Sequence, residues 1–234
     1  MRLPRAVLWG MAAAVGAAVT VGAALLGASA CWARDDFQSW NTLEFTKRLG
    51  PAWEVFFLPE IRIRDDAGQL FYHEYRQGVR WKPSTHLQLG LNYLFVRNAS
   101  SGKPREEQTG ELDVTPKMTL GALSVSVRGR IALRTIQGSS GEQEWQVRLM
   151  PKLAYPVRLA GRQVTLYTAE DLFYDYTRDA WNQHRFFLGV TVPLASQQGI
   201  ELATEVYYML QNQLGTRHDW SSNHVLGTKL SVKF

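Results

Sequence analysis

Hydrophobic and polar residues alternate along most of the chain, most regularly from Glu111 to Arg134. In this segment nearly every second residue is apolar, and the pattern is interrupted at Gly121-Ala122. Because the side chains of a strand point to opposite faces in turn, the pattern predicts two strands that each have one apolar and one polar face. The interruption predicts the two-residue turn that joins them.

The predicted hairpin has a defined register. A two-residue turn pairs Leu120 with Leu123, and this register keeps the apolar residues of both strands on one face. It also places Asp113 opposite Arg130, which is a favourable cross-strand pair. Each arm has about ten residues, the length that a tilted strand needs to cross the hydrocarbon layer of a membrane.

Similar alternating segments, separated by turn signals, occur along the rest of the chain. Together with the hairpin they predict eleven strands, at about 37–48, 53–64, 70–81, 86–95, 111–120, 123–134, 145–155, 163–174, 185–194, 200–211 and 225–234. Four prolines fall inside these segments, and because proline cannot donate to a strand ladder we expect local bulges at Pro59, Pro116, Pro151 and Pro193.

The connections between the predicted strands alternate in length. Short ones include Gly121-Ala122 and Ala195–Gly199, whereas those after Arg97, Arg134 and Gln211 are long and polar. Transmembrane barrels have this asymmetry. The sequence therefore predicts an all-β protein, an antiparallel up-and-down transmembrane β-barrel of about ten to twelve strands. Since bacterial single-chain barrels have an even number, a count of eleven indicates a missed strand near 155–175 or a misplaced first strand.

The first 33 residues predict an export signal, so that residues 34–234 form a single barrel domain. Arg2 and Arg5 precede a long apolar run, and small residues follow it. Cleavage after Ala30 and cleavage after Ala33 both fit. The only cysteine, Cys31, also leaves lipidation open, and the length of the apolar run leaves an uncleaved anchor open.

Charge argues against a nucleic-acid surface. The formal net charge is +5, and removing Arg2 and Arg5 with the leader lowers it to +3. The basic residues do not form a cluster apart from acidic neighbours, as a nucleic-acid-binding surface would require.

The polar faces of the strands predict a charged barrel interior. Charges facing hydrocarbon would each cost about 2–4 kcal/mol at the midplane, so they must face away from lipid. The residues predicted to line the lumen are Glu44, Glu60, Arg62, Glu74, Arg76, Glu111, Asp113, Lys117, Arg128, Arg130, Arg148, Glu201 and Glu205. Those predicted to face lipid are Leu89, Leu91, Leu112, Val114, Val125, Val127 and Ile131.

The chain has an export leader, a mature segment that opens with Asp35 to Trp40, repeated amphipathic strands and a terminal Phe234. In these features it resembles an uncharacterised family of proteobacterial outer-membrane proteins, the domain of unknown function DUF2490. The resemblance implies a location in the bacterial outer membrane, contact with outer-membrane lipids and recognition of Phe234 by the barrel-assembly machinery. It implies no catalytic residue. We take a monomer as the default state.

The sequence contains no motif for a metal, nucleotide or other cofactor. One polar segment, His218 to His224, leaves open an outer-membrane lipid hydrolase that uses Ser221 and His224. A second alternative is a soluble periplasmic barrel that binds an apolar ligand, with the apolar faces turned inwards. For the favoured outer-membrane barrel, two roles stay open. The charges could fill a nearly closed interior as structural ion pairs, or line a narrow channel whose basic excess favours anions.

Overall fold

The computed structural model describes residues 36–64, 66–99, 104–137, 143–215 and 220–234. The predicted export signal, residues 1–33, and Cys31 lie outside this part of the chain. Within it, the strands are β1 (Asp36–Arg48), β2 (Trp53–Arg64), β3 (Gln69–Ser84), β4 (Leu87–Asn98), β5 (Arg105–Leu120), β6 (Leu123–Ile136), β7 (Gln143–Leu159), β8 (Arg162–Asp175), β9 (Ala180–Gln197), β10 (Ile200–Leu214) and β11 (Trp220–Lys233).

These eleven strands of the described residues form one closed barrel in which each strand lies beside its neighbours in sequence. Neighbouring strands are antiparallel, but β1 and β11 pair in parallel, from Asp36↔Asn223 to Thr46↔Lys233. The parallel seam follows from the odd number, because the first and last strands of an up-and-down barrel then run in the same direction. The predicted all-β barrel and strand count are confirmed. The described barrel closes without a twelfth strand.

The β5–β6 hairpin has the predicted register. Leu120 pairs with Leu123, and Asp113 pairs with Arg130. Gly121 has a φ of 62°, a left-handed conformation that glycine adopts at no steric cost. The tight turn therefore sets the two faces of this ribbon as the sequence predicts.

The barrel is apolar outside and charged inside. Leu91 and Leu112, which are partners across β4 and β5, are 61% and 58% exposed on the outer surface. On the inner surface, Glu111 and Arg130 are each only 3% exposed. The alternation along the strands thus directs most hydrophobic side chains outwards and most ionic ones into the lumen.

The two ends of the barrel differ in their connections. Residues 49–52, 85–86, 121–122, 160–161 and 198–199 connect strands at one end, the short-turn end, where Phe234 also lies. The other end, where β1 begins at Asp36, is called the long-loop end, because four to six residues separate the strands β2 and β3, β4 and β5, β6 and β7, β8 and β9, and β10 and β11 there.

Two local expectations need correction. The poorly alternating stretch near 155–175 is a continuous β7 that runs to Leu159, a tight turn at Ala160-Gly161 with φ angles of 48° and 77°, and β8. Of the four prolines, only Pro193 lies at a register shift, between Leu202 and Ala203 of the partner strand. The other three are accommodated in an unshifted register.

Candidate functional site

The barrel interior contains a cavity of about 970 Å³ that is lined mainly by charged and polar side chains. Its lining extends from Asp36 and Arg178, near the long-loop end, to Gln88 and Lys229 towards the short-turn end. The predicted lumen residues that line it are Glu44, Glu60, Arg62, Glu74, Arg76, Glu111, Asp113, Arg128, Arg130, Arg148 and Glu205.

Two further predicted lumen residues occupy inward-facing positions but do not line this cavity. Lys117 lies nearer the short-turn end, where its Nζ donates to Gln88 Oε1 at 3.0 Å. Glu201 lies at the rim of that end, is half exposed, and pairs with Arg48 at 2.6 Å.

The residues predicted to face lipid lie together on the outer surface. Register links them across the strands, with Leu89 opposite Val114 and Leu112 opposite Ile131. Val114 and Ile131 are each 50% exposed. Val125 and Val127 are partly exposed on the same face of β6. A soluble barrel with an apolar ligand cavity would need these side chains inside, so the observed arrangement is the reverse of that one.

Arg130 organises one wall of the interior. Its Nε and Nη2 donate to the two oxygens of Asp113 at 2.6 and 2.7 Å, and its Nη1 donates to Glu111 at 2.9 Å. Glu111 also accepts a hydrogen bond from Arg76 at 2.8 Å. Such bidentate, charge-assisted hydrogen bonds fix geometry as well as charge, so this wall of the lumen is rigid.

Arg62, on β2, is held between two aromatic rings. Its guanidinium lies 3.6 Å from the centre of the Trp40 ring and 3.8 Å from that of Tyr72. It also pairs with Glu60 at 2.6 Å and with Glu74 at 3.5 Å. Flat stacking and two carboxylates position this cation, in a way that lysine could not reproduce.

A layer of ion pairs lies where the cavity ends. Glu44 accepts a hydrogen bond from Arg80 at 2.7 Å and lies 3.5 Å from Lys229. Lys229 in turn lies 3.4 Å from Glu205. These contacts join β10, β11, β1 and β3, which lie together on one side of the barrel with only β2 between β1 and β3.

A second layer lies closer to the short-turn end. There Glu54, 5% exposed, pairs with Lys82 at 2.7 Å and accepts a hydrogen bond from Lys233. None of these three residues lines the cavity. The cavity therefore extends towards the long loops and ends short of this second layer of ion pairs.

Part of the inner wall is aromatic and apolar, which the sequence analysis did not predict. A buried cluster, packed against Phe187, consists of Trp40, Tyr167, Tyr207, Met209 and Val225. On each strand, these residues are in phase with the polar residues that face the lumen. The alternation of the sequence could therefore have predicted that they face inwards.

A polar ladder interrupts the outer surface near the long-loop end. Ser222 Oγ donates to Asn212 Oδ1 at 2.6 Å, and Asn212 Nδ2 lies 3.0 Å from His184 Nε2. His184 Nδ1 lies 2.9 Å from Glu170 Oε1. The ring of Trp220 contacts His184 at 5.8 Å. Each polar group of the ladder has a partner, and the serine hydroxyl is bonded to the amide rather than to the histidine.

The residues of the hydrolase alternative do not come together. Ser221 and His224 are three residues apart on β11, so they lie on opposite faces of the strand. Ser221 Oγ donates to the carbonyl oxygen of Gln213 at 3.4 Å, whereas His224 Nδ1 contacts the Tyr208 hydroxyl. His218 and Asp219 lie outside the described residues.

Two features are absent from the described residues. These residues contain no group of three or more histidine, cysteine or acidic residues that could hold a metal ion. They also contain no helix with the length and hydrophobicity to cross a membrane.

Several solved structures are remotely similar to this chain. A bacterial polysaccharide outer membrane secretin has 8% identity and a TM-score of 0.47, and the match covers 75% of this chain and 63% of that one. LpxR from Salmonella typhimurium has 8% identity and a TM-score of 0.45, over 76% of this chain and 83% of that one. The beta domain of the Bordetella autotransporter BrkA has 14% identity and a TM-score of 0.40, over 76% and 82%.

Sequence comparison gives a family but no characterised relative. No curated protein matches the chain. A family model described as "Protein of unknown function (DUF2490)" matches residues 37–222, which include most of the barrel. The chain belongs to this family.

Proposed function

We propose that this member of the family is a bacterial outer-membrane β-barrel whose interior is a narrow, water-filled path that favours small anions. The observation that carries the proposal is the inverted distribution of side chains, with large hydrophobic residues exposed outside and paired charges inside. In water this arrangement would be unfavourable, because exposure of so much apolar surface costs free energy. In a bilayer, lipid covers the outer surface.

The exposed hydrophobic residues form a continuous belt. Soluble monomers rarely expose apolar patches larger than a few hundred Å², on the order of 300–600 Å² at most. Here the exposed residues occur on all eleven described strands, one example from each being Leu43, Phe57, Tyr75, Leu91, Leu112, Ile131, Leu149, Leu166, Leu188, Tyr208 and Trp220.

Aromatic residues lie at both edges of the belt, as at the two lipid–water boundaries of a membrane barrel. At the short-turn end Trp53 stacks on Trp81 at 5.7 Å. At the long-loop end Trp145, Trp181 and Trp220 are each about half exposed. The polar ladder beside Trp220 lies at this edge, where a membrane interface would solvate it.

Strand lengths are sufficient for a membrane crossing. The strands have between 12 and 18 residues, whereas a tilted transmembrane strand needs about 9–11. We propose that the long loops face the exterior and the short turns the periplasm.

The charges that line the cavity support a preference for anions. They comprise thirteen basic and eleven acidic residues, so two positive charges are in excess. The cavity ends before the ion-pair layer at Glu54, so we expect little free cross-section at the short-turn end. A small conductance with anion preference is therefore expected.

Cell fractionation and gel migration test the location. The full chain should be recovered from the outer membrane only with detergent, and it should migrate faster in gels before heating than after it, because a closed barrel is compact. Recovery in the periplasmic extract without detergent would contradict the proposal.

Conductance measurements in planar bilayers test whether the barrel interior is a path for anions. Under a potassium chloride gradient, the refolded protein should give small conductance steps. The reversal potential should have the sign expected for a path that passes chloride more easily than potassium. Arg80→Ala, which thins the ion-pair layer at Glu44, should raise the conductance, whereas Arg48→Ala at the exposed rim should not. An absence of conductance steps would leave a structural membrane protein and remove the channel.

We also propose that the barrel-assembly machinery recognises Phe234. Its amide donates to Thr46 O, and its carbonyl accepts from Arg48 N, each at 2.9 Å, so it continues the β1–β11 seam. Phe234→Ala should lower the outer-membrane level in cells while leaving refolding into detergent unchanged. An equal loss in both assays would indicate a purely structural role.

A further inference from the structure

One section of the inner wall, formed by β6 to β9, holds more cations than anions. Arg128, Arg148, Asp171 and Arg185 all line the cavity there. Register brings them into adjacent rows, with Arg148 opposite Arg130 and Asp171 opposite Arg185. Arg130 is already paired with Asp113 and Glu111. Of the remaining three guanidinium groups, those of Arg128 and Arg148 form ion pairs with Asp171, and Arg185 is the cross-strand partner of the same residue.

Asp171 contacts Arg128 and Arg148 through only one of its two carboxylate oxygens. Its Oδ2 accepts a hydrogen bond from Arg148 and lies 3.6 Å from Arg128 Nη2. Its Oδ1 is buried and has no hydrogen-bond partner among the described residues. One carboxylate thus serves two guanidinium groups in direct contact, which leaves this group positively charged.

Arg128 is the least satisfied of the three cations. Its Nη2 donates to the sulfur of Met150 at 3.0 Å, and a thioether is a weak acceptor. Its Nε is buried without a hydrogen-bond partner among the residues that the structure describes, as is that of Arg148. The Arg128 side chain is nevertheless 29% exposed, so it is accessible from the cavity.

Arg185 has a neutral partner. With its amide oxygen oriented towards Arg185, Gln183 accepts hydrogen bonds from Nε at 2.6 Å and from Nη2 at 2.9 Å. The guanidinium lies 4.7 Å from the centre of the Phe173 ring, and that of Arg148 lies 4.2 Å from the same centre. Phe173 therefore holds two cations close together without neutralising either.

We propose that Arg128, Arg148 and Arg185 form a binding site for a small oxyanion of the phosphate type inside the barrel. The inference deepens the proposed function and rests on it for the entry of the anion through the lumen. Planar guanidinium groups match the oxygens of phosphate in geometry as well as charge. Three such groups beside one carboxylate leave two positive charges, the same excess that the whole cavity lining shows.

The first experiment measures binding directly. The full chain, refolded in detergent, is titrated with inorganic phosphate at constant ionic strength, with chloride as the balancing anion, by calorimetry. Saturable binding with one site is expected. Heat changes that never saturate, or that chloride reproduces at equal ionic strength, overturn the site.

Variants then locate the site. Arg128→Gln should weaken phosphate binding by about tenfold or more, as expected for the loss of a charge-assisted hydrogen bond. Arg48→Gln removes the same charge at the exposed rim, outside the cavity, and should leave the affinity unchanged. Asp171→Asn removes the competing carboxylate and should tighten binding, an effect opposite in sign that a merely weakened fold would not produce.

The outcomes separate this site from the channel. Phosphate binding without conductance supports the site and removes only the channel, whereas anion-selective conductance without saturable binding overturns the site. Folding of each variant is checked by heat-modifiable migration. If Arg128→Gln does not fold, Arg185→Gln takes its place with the same expected loss, and equal affinities in that variant and the native chain overturn the site.

Discussion

Thr228 Oγ1 donates a hydrogen bond of 2.8 Å to Asn41 Oδ1, across the seam that joins the last strand to the first. The two residues are direct partners in the parallel pairing of β1 with β11. The contact lies on the outer surface, where the alternation of β1 places Asn41 in phase with Leu43. It marks the one place in the described barrel where neighbouring strands run in the same direction.

A disulfide tests this closure. Disulfides require Cα atoms about 4.4–6.8 Å apart, which paired residues of adjacent strands satisfy. In a Cys31→Ser background, Asn41→Cys with Thr228→Cys should therefore cross-link on mild oxidation, as seen by altered gel migration of the denatured chain. The control, Asn41→Cys with Ser222→Cys, is out of register by six residues and should not cross-link. Cross-linking of the control pair alone would show that the seam has another register.

The seam was not predictable from the sequence. Alternation identifies strands and their two faces, but it does not say which edges meet when the sheet closes. The even strand number of bacterial barrels led us to expect a missed strand or a misplaced first one. All eleven predicted strands are present, although several are longer than predicted, as at β5, which begins at Arg105 and not near 111. The barrel accommodates the odd number by one parallel pairing.

Removing Arg130 should destabilise the barrel strongly. Arg130→Ala leaves the carboxylates of Asp113 and Glu111 without this partner in a buried site, a loss that typically costs about 3–5 kcal/mol. The free energy of unfolding in urea, measured on the refolded barrel, checks this. Arg48→Ala breaks an ion pair whose side chains are 46% and 49% exposed, and it should change stability by only about 0–1 kcal/mol. Equal effects of the two substitutions would contradict a structural role for the buried network.

This network was only half predictable. The Asp113–Arg130 pair followed from hairpin register, because a two-residue turn fixes which residues face each other. The bond from Arg76 to Glu111 joins residues 35 positions apart on β3 and β5, with β4 between them. Such a contact depends on the curvature of the sheet and on side-chain length, which alternation alone does not encode. Arg128 and Arg148 of the proposed oxyanion site were predicted to line the lumen, but Arg185 was not, and alternation did not show that the three side chains lie together.

A charge placed on the outer surface distinguishes a membrane barrel from a soluble one. Leu91→Arg puts a guanidinium in the middle of the apolar belt and should lower the free energy of unfolding in lipid vesicles by about 2–4 kcal/mol. Leu120→Arg introduces the same charge beside the Gly121 turn, at the edge of the belt, where about 0–1 kcal/mol is expected. Unchanged stability in both variants, with improved solubility in the absence of detergent, would indicate that water contacts this surface.

The inner aromatic wall depends on glycines that leave room for tyrosine rings. Gly227 is the cross-strand partner of Tyr207, and a Cβ added to it would lie 1.9 Å from Tyr207 Cζ. Because this atom belongs to a ring held within the buried cluster, Gly227→Ala should displace the ring and cost about 1–3 kcal/mol in unfolding free energy. Gly110 on β5 has no atom within 4 Å of an added Cβ, so Gly110→Ala is the matched control and should be neutral or slightly stabilising. Adding Tyr207→Ala to Gly227→Ala should remove the clash, so that the double variant is more stable than the sum of the single effects. Additive costs would mean that the ring does not lie over this glycine, and that the wall between β10 and β11 packs differently.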